Sequence, residues 1–227
     1  MNIRDDLKEL NYDFLANNRN GVPVLGSNFI YNLGSIPVLI SAPHAVKQIR
    51  NNLSKPSDYL TGALALYLSK KIGCSYFVRT FNMADDPNYP IGITLNKIES
   101  LYLRSLKDFI TKYRHFLVID LHGCSNKRLY HASVWTNNFL FCPQNIVDIF
   151  QESFNANCFS FDPYGCEFEG GQVTRQCAQI TNAMQLELVR YLRNLEDEGT
   201  LNKLIETLYR SLSETYEYSL KLERINN

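Results

Sequence analysis

Two of the four histidines in this chain, His44 and His122, stand directly after apolar runs. His44 closes Ile36-Pro37-Val38-Leu39-Ile40-Ser41-Ala42-Pro43. His122 closes Phe116-Leu117-Val118-Ile119-Asp120-Leu121, with Gly123 next. Two imidazoles delivered to the ends of two central strands suggest a metal site. A hydrolytic zinc takes three protein ligands, nitrogen or carboxylate, and keeps one position open for water. Two acids compete for the third place. Asp58 is the first choice, because it sits just inside a helix whose preceding polar loop can fold back toward His44. Asp120 is the second. Two residues before His122 on a strand, it projects to the same side, where it can instead fix the tautomer of an imidazole ligand. The other two histidines read differently: His115 precedes its strand and belongs at the surface, and His131 is at most a substrate contact.

Metal-assisted hydrolysis also needs a base for the water. In Asn182 to Val189, Met184, Leu186 and Leu188 share one face, while Gln185 and Glu187 share the other. A glutamate on a central strand is costly to bury unless it is used or paired. Glu187 is therefore the candidate base, with Arg190 and Arg193 as its alternative, purely structural partners. The stretch Arg79 to Pro90 offers Arg79, Asp85, Asp86 and Asn88; an arginine and an asparagine suit a substrate carboxylate. Arg175 is a further cation for that task. Gly170-Gly171 permits close approach of the backbone, to a ligand or in a plain turn. Cys124, two residues past His122, is a rival nucleophile.

These residues need a scaffold of alternating strands and helices. The pattern predicts a helix over 3–17, then short strands over 22–30 and 31–42. A surface loop follows over 45–56, and a helix over 57–71 with Ser57 as its N-cap. Next come a strand over 74–81, a polar loop over 82–90, a long helix over 94–114 and the strand ending at His122. After that the pattern gives strands over 132–136 and 137–141, a helix over 144–155, a short segment at 159–161, a loop over 164–175 and a strand over 183–189. A helix over 200–224 ends the chain, either packed on the core or paired with another chain. The expected fold is α/β: a single domain over 1–227 with a mixed, mostly parallel sheet and helices on both faces. Residues 1–35 are an N-terminal extension. Ligands of such sheets bind beyond the carboxyl ends of the strands, where His44 and His122 fall.

The totals bound the function. The 23 Lys and Arg equal the 23 Asp and Glu, which argues against a nucleic-acid partner. No run approaches the roughly 20 apolar residues of a membrane helix, and the charged start, Arg4 to Glu9, has no signal-peptide core. The expectation is a cytoplasmic protein with no membrane partner. The six cysteines make no CxxC pair and read as free thiols.

Ser41-Ala42-Pro43-His44, Asp58 with Thr61, Asp86-Pro87-Asn88, Ile119-Asp120-Leu121-His122-Gly123 and Gln185-Leu186-Glu187 together resemble the N-formylglutamate amidohydrolase-like family, which groups with zinc carboxypeptidase-like hydrolases. The resemblance spans about residues 36–193. It implies zinc, Zn(2+), held by His44, Asp58 and His122, and Glu187 as general base. It also places a substrate carboxylate near Asn88, with Arg79 close by and Gln185 on the strand that carries the base. Two positions depart from the family pattern: Ala45-Val46-Lys47 gives no HxxE after His44, and Tyr89 stands where an arginine follows the asparagine. The leading expectation is a zinc-dependent hydrolase of an amide or peptide bond, acting on a small-molecule or peptide substrate that carries a carboxylate. The rivals are a non-catalytic ligand-binding protein on the same scaffold and a cysteine hydrolase using Cys124. The oligomeric state stays open.

Overall fold

A computed structural model of the protein describes residues 2–89, 99–165 and 169–226. Helix α1 (Ile3–Arg19) starts where the Asn2 side chain accepts the Arg4 N–H, and it buries Leu7 and Phe14. Its last turn breaks at Ala16 to Asn18, where Asn17 and Asn18 take left-handed φ, a conformation asparagine tolerates better than most residues. Strand β1 (Phe29–Asn32) and strand β2 (Ile36–Ala42) follow. The polar stretch expected as a plain loop forms a small hairpin, β3 (Gln48–Arg50) and β4 (Leu53–Lys55). Asn51 and Asn52, both with positive φ, make its turn, the backbone that a two-residue hairpin requires.

Helix α2 (Thr61–Ile72) begins after Leu60, which is left-handed and gives no side-chain cap. Ser57 is therefore not the N-cap, and Asp58 lies in the turn ahead of the helix. There the Thr61 N–H and hydroxyl both donate to the Asp58 carbonyl. Gly73 closes α2 with φ +81, and strand β5 (Cys74–Arg79) follows at once. Helix α3 (Leu101–Tyr113) is capped by Ser100, whose side chain accepts the Leu103 N–H. The expected helical start at Thr94 lies outside the described residues. Then come strand β6 (Leu117–Cys124), strand β7 (Ala132–Trp135), helix α4 (Gln144–Ala156) and strand β8 (Phe161–Asp162). Residues 137–141 are a turn and not a strand, because Asn137, Asn138 and Phe139 all take positive φ. Within the stretch read as loop, Gln172–Cys177 is a short helix, α5. Strand β9 (Asn182–Val189) and helix α6 (Glu198–Asn226) complete the chain.

Seven strands form one sheet in the order β1-β5-β2-β6-β9-β7-β8. The central pairs β5/β2, β2/β6 and β6/β9 are parallel, while β1 and β7 run antiparallel to their inner neighbours. The chain is thus a single α/β domain with a mixed, mostly parallel sheet. Alternation along the strands divides the core between two faces. Val38, Ile40, Leu117, Ile119, Leu121, Met184, Leu186 and Leu188 pack with α1, α2, α4 and α6. Leu39, Phe77, Val118 and Ala183 pack with α3 and α5. Each fully buried Leu or Phe contributes about 1.5–3 kcal/mol, so register on these strands is strongly set. The N-terminal region belongs to this core: α1 sits on α2 and β1 is the sheet's edge strand. Helix α6 buries Leu201, Leu204, Ile205, Leu208 and Leu212 against it. No described helix is long and apolar enough to cross a membrane.

Candidate metal centre

The second face of the sheet turns polar toward the carboxyl ends of the strands. Ser41 on β2, Asp120 and His122 on β6, and Gln185 and Glu187 on β9 continue the alternation of Leu39, Val118 and Ala183. The register sets Asp120 beside Gln185 and His122 beside Glu187. His44 lies two residues past β2, and the Asp58 N–H donates to its carbonyl at 2.8 Å. That bond folds the hairpin segment back and brings Asp58 to the two imidazoles.

His44, Asp58 and His122 each offer a ligand atom within 4.8 Å of the others. Both rings present Nδ1 to one oxygen, Asp58 Oδ2, at 3.5 Å from His44 and 3.1 Å from His122. The rings meet edge to face, with centroids 4.6 Å apart, so their nitrogens converge without stacking. The far nitrogens are held by carboxylates. His44 Nε2 lies 2.8 Å from Asp86 Oδ1, and His122 Nε2 lies 3.1 Å from Asp120 Oδ2. With the proton on Nε2 toward these carboxylates, Nδ1 of each ring, which faces Asp58, would be the nitrogen able to ligate a metal. Two imidazole nitrogens and one carboxylate fit zinc as donors.

The carboxylates are themselves fixed. Asp86 accepts from Arg50 Nε and Nη2 at 2.9 and 2.6 Å and from the Asn88 N–H at 3.0 Å. Arg50 comes from the hairpin and stacks on Tyr89, 4.8 Å from the ring centroid. Asp120 accepts from Ser41 at 3.1 Å and from Thr174 on α5 at 3.0 Å. Asp120 thus stands behind His122, and Asp58 faces both rings. Burial would depress both imidazoles. Asp58 and Asp86 nevertheless hold His44 above its ordinary value, and Asp120 and Asp58 raise His122 well above it. Burial would raise the Asp58 carboxyl, but His122 and His44 hold it well below the usual carboxylate range. Asp86 is held low in the same way, by His44 and then Arg50.

Glu187 is partly buried, and burial together with the Asp58 charge raises its carboxyl, against the pull of His122. A raised carboxyl suits a proton acceptor working near neutral pH. Gln185 donates to Glu187 at 2.9 Å and accepts the Gly171 N–H at 2.7 Å. It therefore ties Glu187 to the Gly170-Gly171 loop. Arg193 does not pair with Glu187: its guanidinium donates to the carbonyls of Leu188, Tyr59 and Cys124. Arg190 is exposed.

Several expected substrate contacts are placed otherwise. Arg79 is fully buried, and its guanidinium is engaged with Asp85 and the Phe81 carbonyl, so it holds the loop and not a ligand. Asn88 is turned inward. Its Oδ1 accepts the Val173 N–H at 2.7 Å, and its Nδ2 lies 2.8 Å from His122 Nε2. Both ends of Gln185 are likewise engaged. Gly170 and Gly171 approach protein side chains: a Cβ would lie 1.8 Å from the Trp135 ring at Gly170, and 2.4 Å from the Asn88 amide at Gly171. Arg175 keeps free donors. Its Nε donates to the Gly170 carbonyl and its guanidinium lies 4.6 Å from the Trp135 ring centroid. Its terminal nitrogens have no ion pair among the described residues.

Cys124 is pushed up to about 12 by burial and the Glu187 charge, so little thiolate forms at neutral pH. His131 accepts the Ser160 N–H and packs on Phe159 and Tyr191, apart from the centre. His115 is buried and not at the surface. Sequence reasoning missed Asp86 and Arg50 as the support of His44. The only available signal was an acid in a loop and an arginine in another, 36 positions apart.

No family model matches the sequence, and no curated protein does. Solved structures do. An N-formylglutamate amidohydrolase from Ralstonia eutropha JMP134 superposes with a TM-score of 0.63 at 17% identity, over 85% of this chain and 99% of that one. A gene product of Agrobacterium tumefaciens, Atu2144, gives 0.55 at 14% identity, over 84% and 95%. A bacteriophage poly-gamma-glutamate hydrolase gives 0.52 at 14% identity, over 87% and 93%. In its fold, the chain is N-formylglutamate amidohydrolase-like.

Proposed function

We propose that the protein is a zinc-dependent hydrolase of an amide or peptide bond in a small, carboxylate-bearing substrate. One observation carries this: His44, Asp58 and His122 converge, and a separate carboxylate backs each imidazole. The fold it shares with an amidohydrolase and a poly-gamma-glutamate hydrolase supports the same reading. When bound, zinc would polarise the scissile carbonyl and make a water acidic near neutral pH. His44 and His122 would hold the ion through Nδ1, and Asp58 through its carboxylate. Asp86 and Asp120 keep the protons on the far nitrogens. Glu187, oriented by Gln185, accepts the proton of the attacking water and passes it to the leaving nitrogen. Arg175, beside Gly170, takes the substrate carboxylate.

Elemental analysis of the purified protein tests the proposal, beside His44→Ala and His122→Ala. The expected result is about one zinc per wild-type chain, less than a tenth of that in either variant, and N-acylglutamate hydrolysis abolished by chelator. A zinc-free wild type whose hydrolysis ignores chelators would refute it. Binding without turnover on this scaffold would show as full zinc content with no hydrolysis of any acylated or peptide substrate.

A further inference from the structure

A cavity of about 530 Å³ is lined in part by Arg193, whose guanidinium donates to the carbonyls of Tyr59 and Cys124, next to Asp58 and two residues past His122 in the chain. Its wall gathers the ends of the elements that carry the chemistry. Tyr59 directly follows Asp58, Asn126 lies four residues past His122, and Arg190 three past Glu187; Arg19 comes from the end of α1. Three arginines and two asparagines dominate the polar part of the lining, beside Tyr59, Tyr191, Leu15, Leu195 and Glu196. Arg19 lies 5.8 Å from the Tyr59 ring centroid, and neither Arg19 nor Arg190 has a carboxylate partner among the described residues. Asn126 and Asn194 spend their side-chain oxygens on the N–H groups of Tyr191 and Glu196, which leaves their NH₂ groups as donors. Arg193 adds a buried positive charge behind the wall. The one acid, Glu196, already pairs with Arg4 at 3.3 Å.

Two unpaired guanidinium groups with two amide donors make a surface that satisfies an anion and leaves a neutral chain underused. We propose that this cavity is a second anion subsite and holds a carboxylate of an acidic peptide beyond the bond to be cut. The identity of the ligand as a carboxylate rests on the amide-hydrolase reading; the presence of the anion subsite does not.

Calorimetric titration of the full chain with triglutamate and triglutamine peptides, and with inorganic phosphate, tests it before and after removal of metal by chelator. Triglutamate is expected to bind at least tenfold more tightly than triglutamine, both before and after chelation, and more tightly than phosphate. The Arg19→Gln/Arg190→Gln double variant is expected to lose that preference. Should the variant not fold, the wild-type preference should still fall at least threefold between 50 and 300 mM salt. Equal binding of the two peptides, a preference that disappears with the metal, a preference that survives in a folded double variant, or phosphate binding as tightly as triglutamate would each overturn the proposal. Absence of zinc or of hydrolysis would count against the proposed activity and leave this result standing.

Discussion

Replacing Asp86 with asparagine should weaken zinc binding without unfolding the protein. The carboxylate has a side-chain exposure of only 1%, and it receives His44 Nε2, two nitrogens of Arg50 and the Asn88 N–H. Asparagine keeps the shape but supplies one acceptor oxygen in place of two. If that oxygen faces His44 and Asn88, its NH₂ meets the Arg50 donors, and Arg50, with a third of its side chain exposed, can turn to water. His44 then exchanges a charge-assisted hydrogen bond for a neutral one, a loss of about 1–1.5 kcal/mol, or roughly tenfold in affinity. If the NH₂ faces His44, Nε2 must accept, the proton moves to Nδ1, and the ligand nitrogen is blocked. That orientation leads toward the hundredfold end of the range for such supporting carboxylates, ~10–100-fold. The assay is zinc competition against a chelating dye at constant pH, with circular dichroism as the control for folding. An affinity within twofold of wild type in a folded variant would refute the idea that Asp86 selects the His44 tautomer.

Other perturbations have equally definite outcomes. Glu187→Gln should lower kcat by about 10²–10⁴-fold while zinc content stays at the wild-type level; loss of the metal instead would make Glu187 a ligand. His115, buried against Phe109 and 2.8 Å from Ser75 Oγ, is lowered by burial to about 4. Its neutral form contributes fully above pH 6.5. That contribution is lost as pH falls from 6.5 through 4, because there the unfolded chain binds more protons. At about 1.4 kcal/mol per pKa unit, the loss is on the order of 3 kcal/mol, and His115→Gln should flatten the denaturant-measured stability curve in that window. An unchanged slope would count against it. Gly123→Ala places a Cβ 2.3 Å from Arg193 Nη2. It should cost about 1–3 kcal/mol by overpacking, seen as a lower Tm; a neutral result would mean that Arg193 is free to move.

The parts of this molecule with a period were legible before any coordinates. Apolar runs marked β2, β6 and β9 because a buried parallel strand must be apolar on both faces, and the polar breaks at Asp120, His122 and Glu187 then stood out against them. His44, Asp58 and His122 do come together. What had no period was harder to read. The Asn51-Asn52 turn hides a hairpin in a polar stretch, and Asn137 and Asn138 bend a segment whose Phe139, Leu140 and Phe141 alone look strand-like. Leu60 starts α2 in a left-handed conformation that leucine rarely takes, so the sequence pattern starts the helix too early and puts Asp58 inside it. The direction of loop side chains was also invisible. Arg79 and Asn88 have the chemistry of a carboxylate clamp, but close-range partners, Asp85 for one and Val173 and His122 for the other, claim their donors and acceptors. Asp86 faces His44 with the support of the Asn88 N–H and of an arginine that reaches it from the hairpin.

The pairing of His122 with Glu187 across β6 and β9 also divides the chain by its tolerance to insertion and deletion. Neighbouring parallel strands act as a ruler marked every ~3.3 Å, and each single step reverses the face on which a side chain emerges. One residue gained or lost inside Leu117–Cys124 or Asn182–Val189 would turn the imidazole or the carboxylate toward the opposite layer of helices, with no intermediate setting. The connections outside the ruler carry no such count. Lineages or designers seeking new specificity on this scaffold are free to vary loop length beyond Cys124 and Val189, where the arginine-lined cavity opens, while the spacing within the two strands stays fixed.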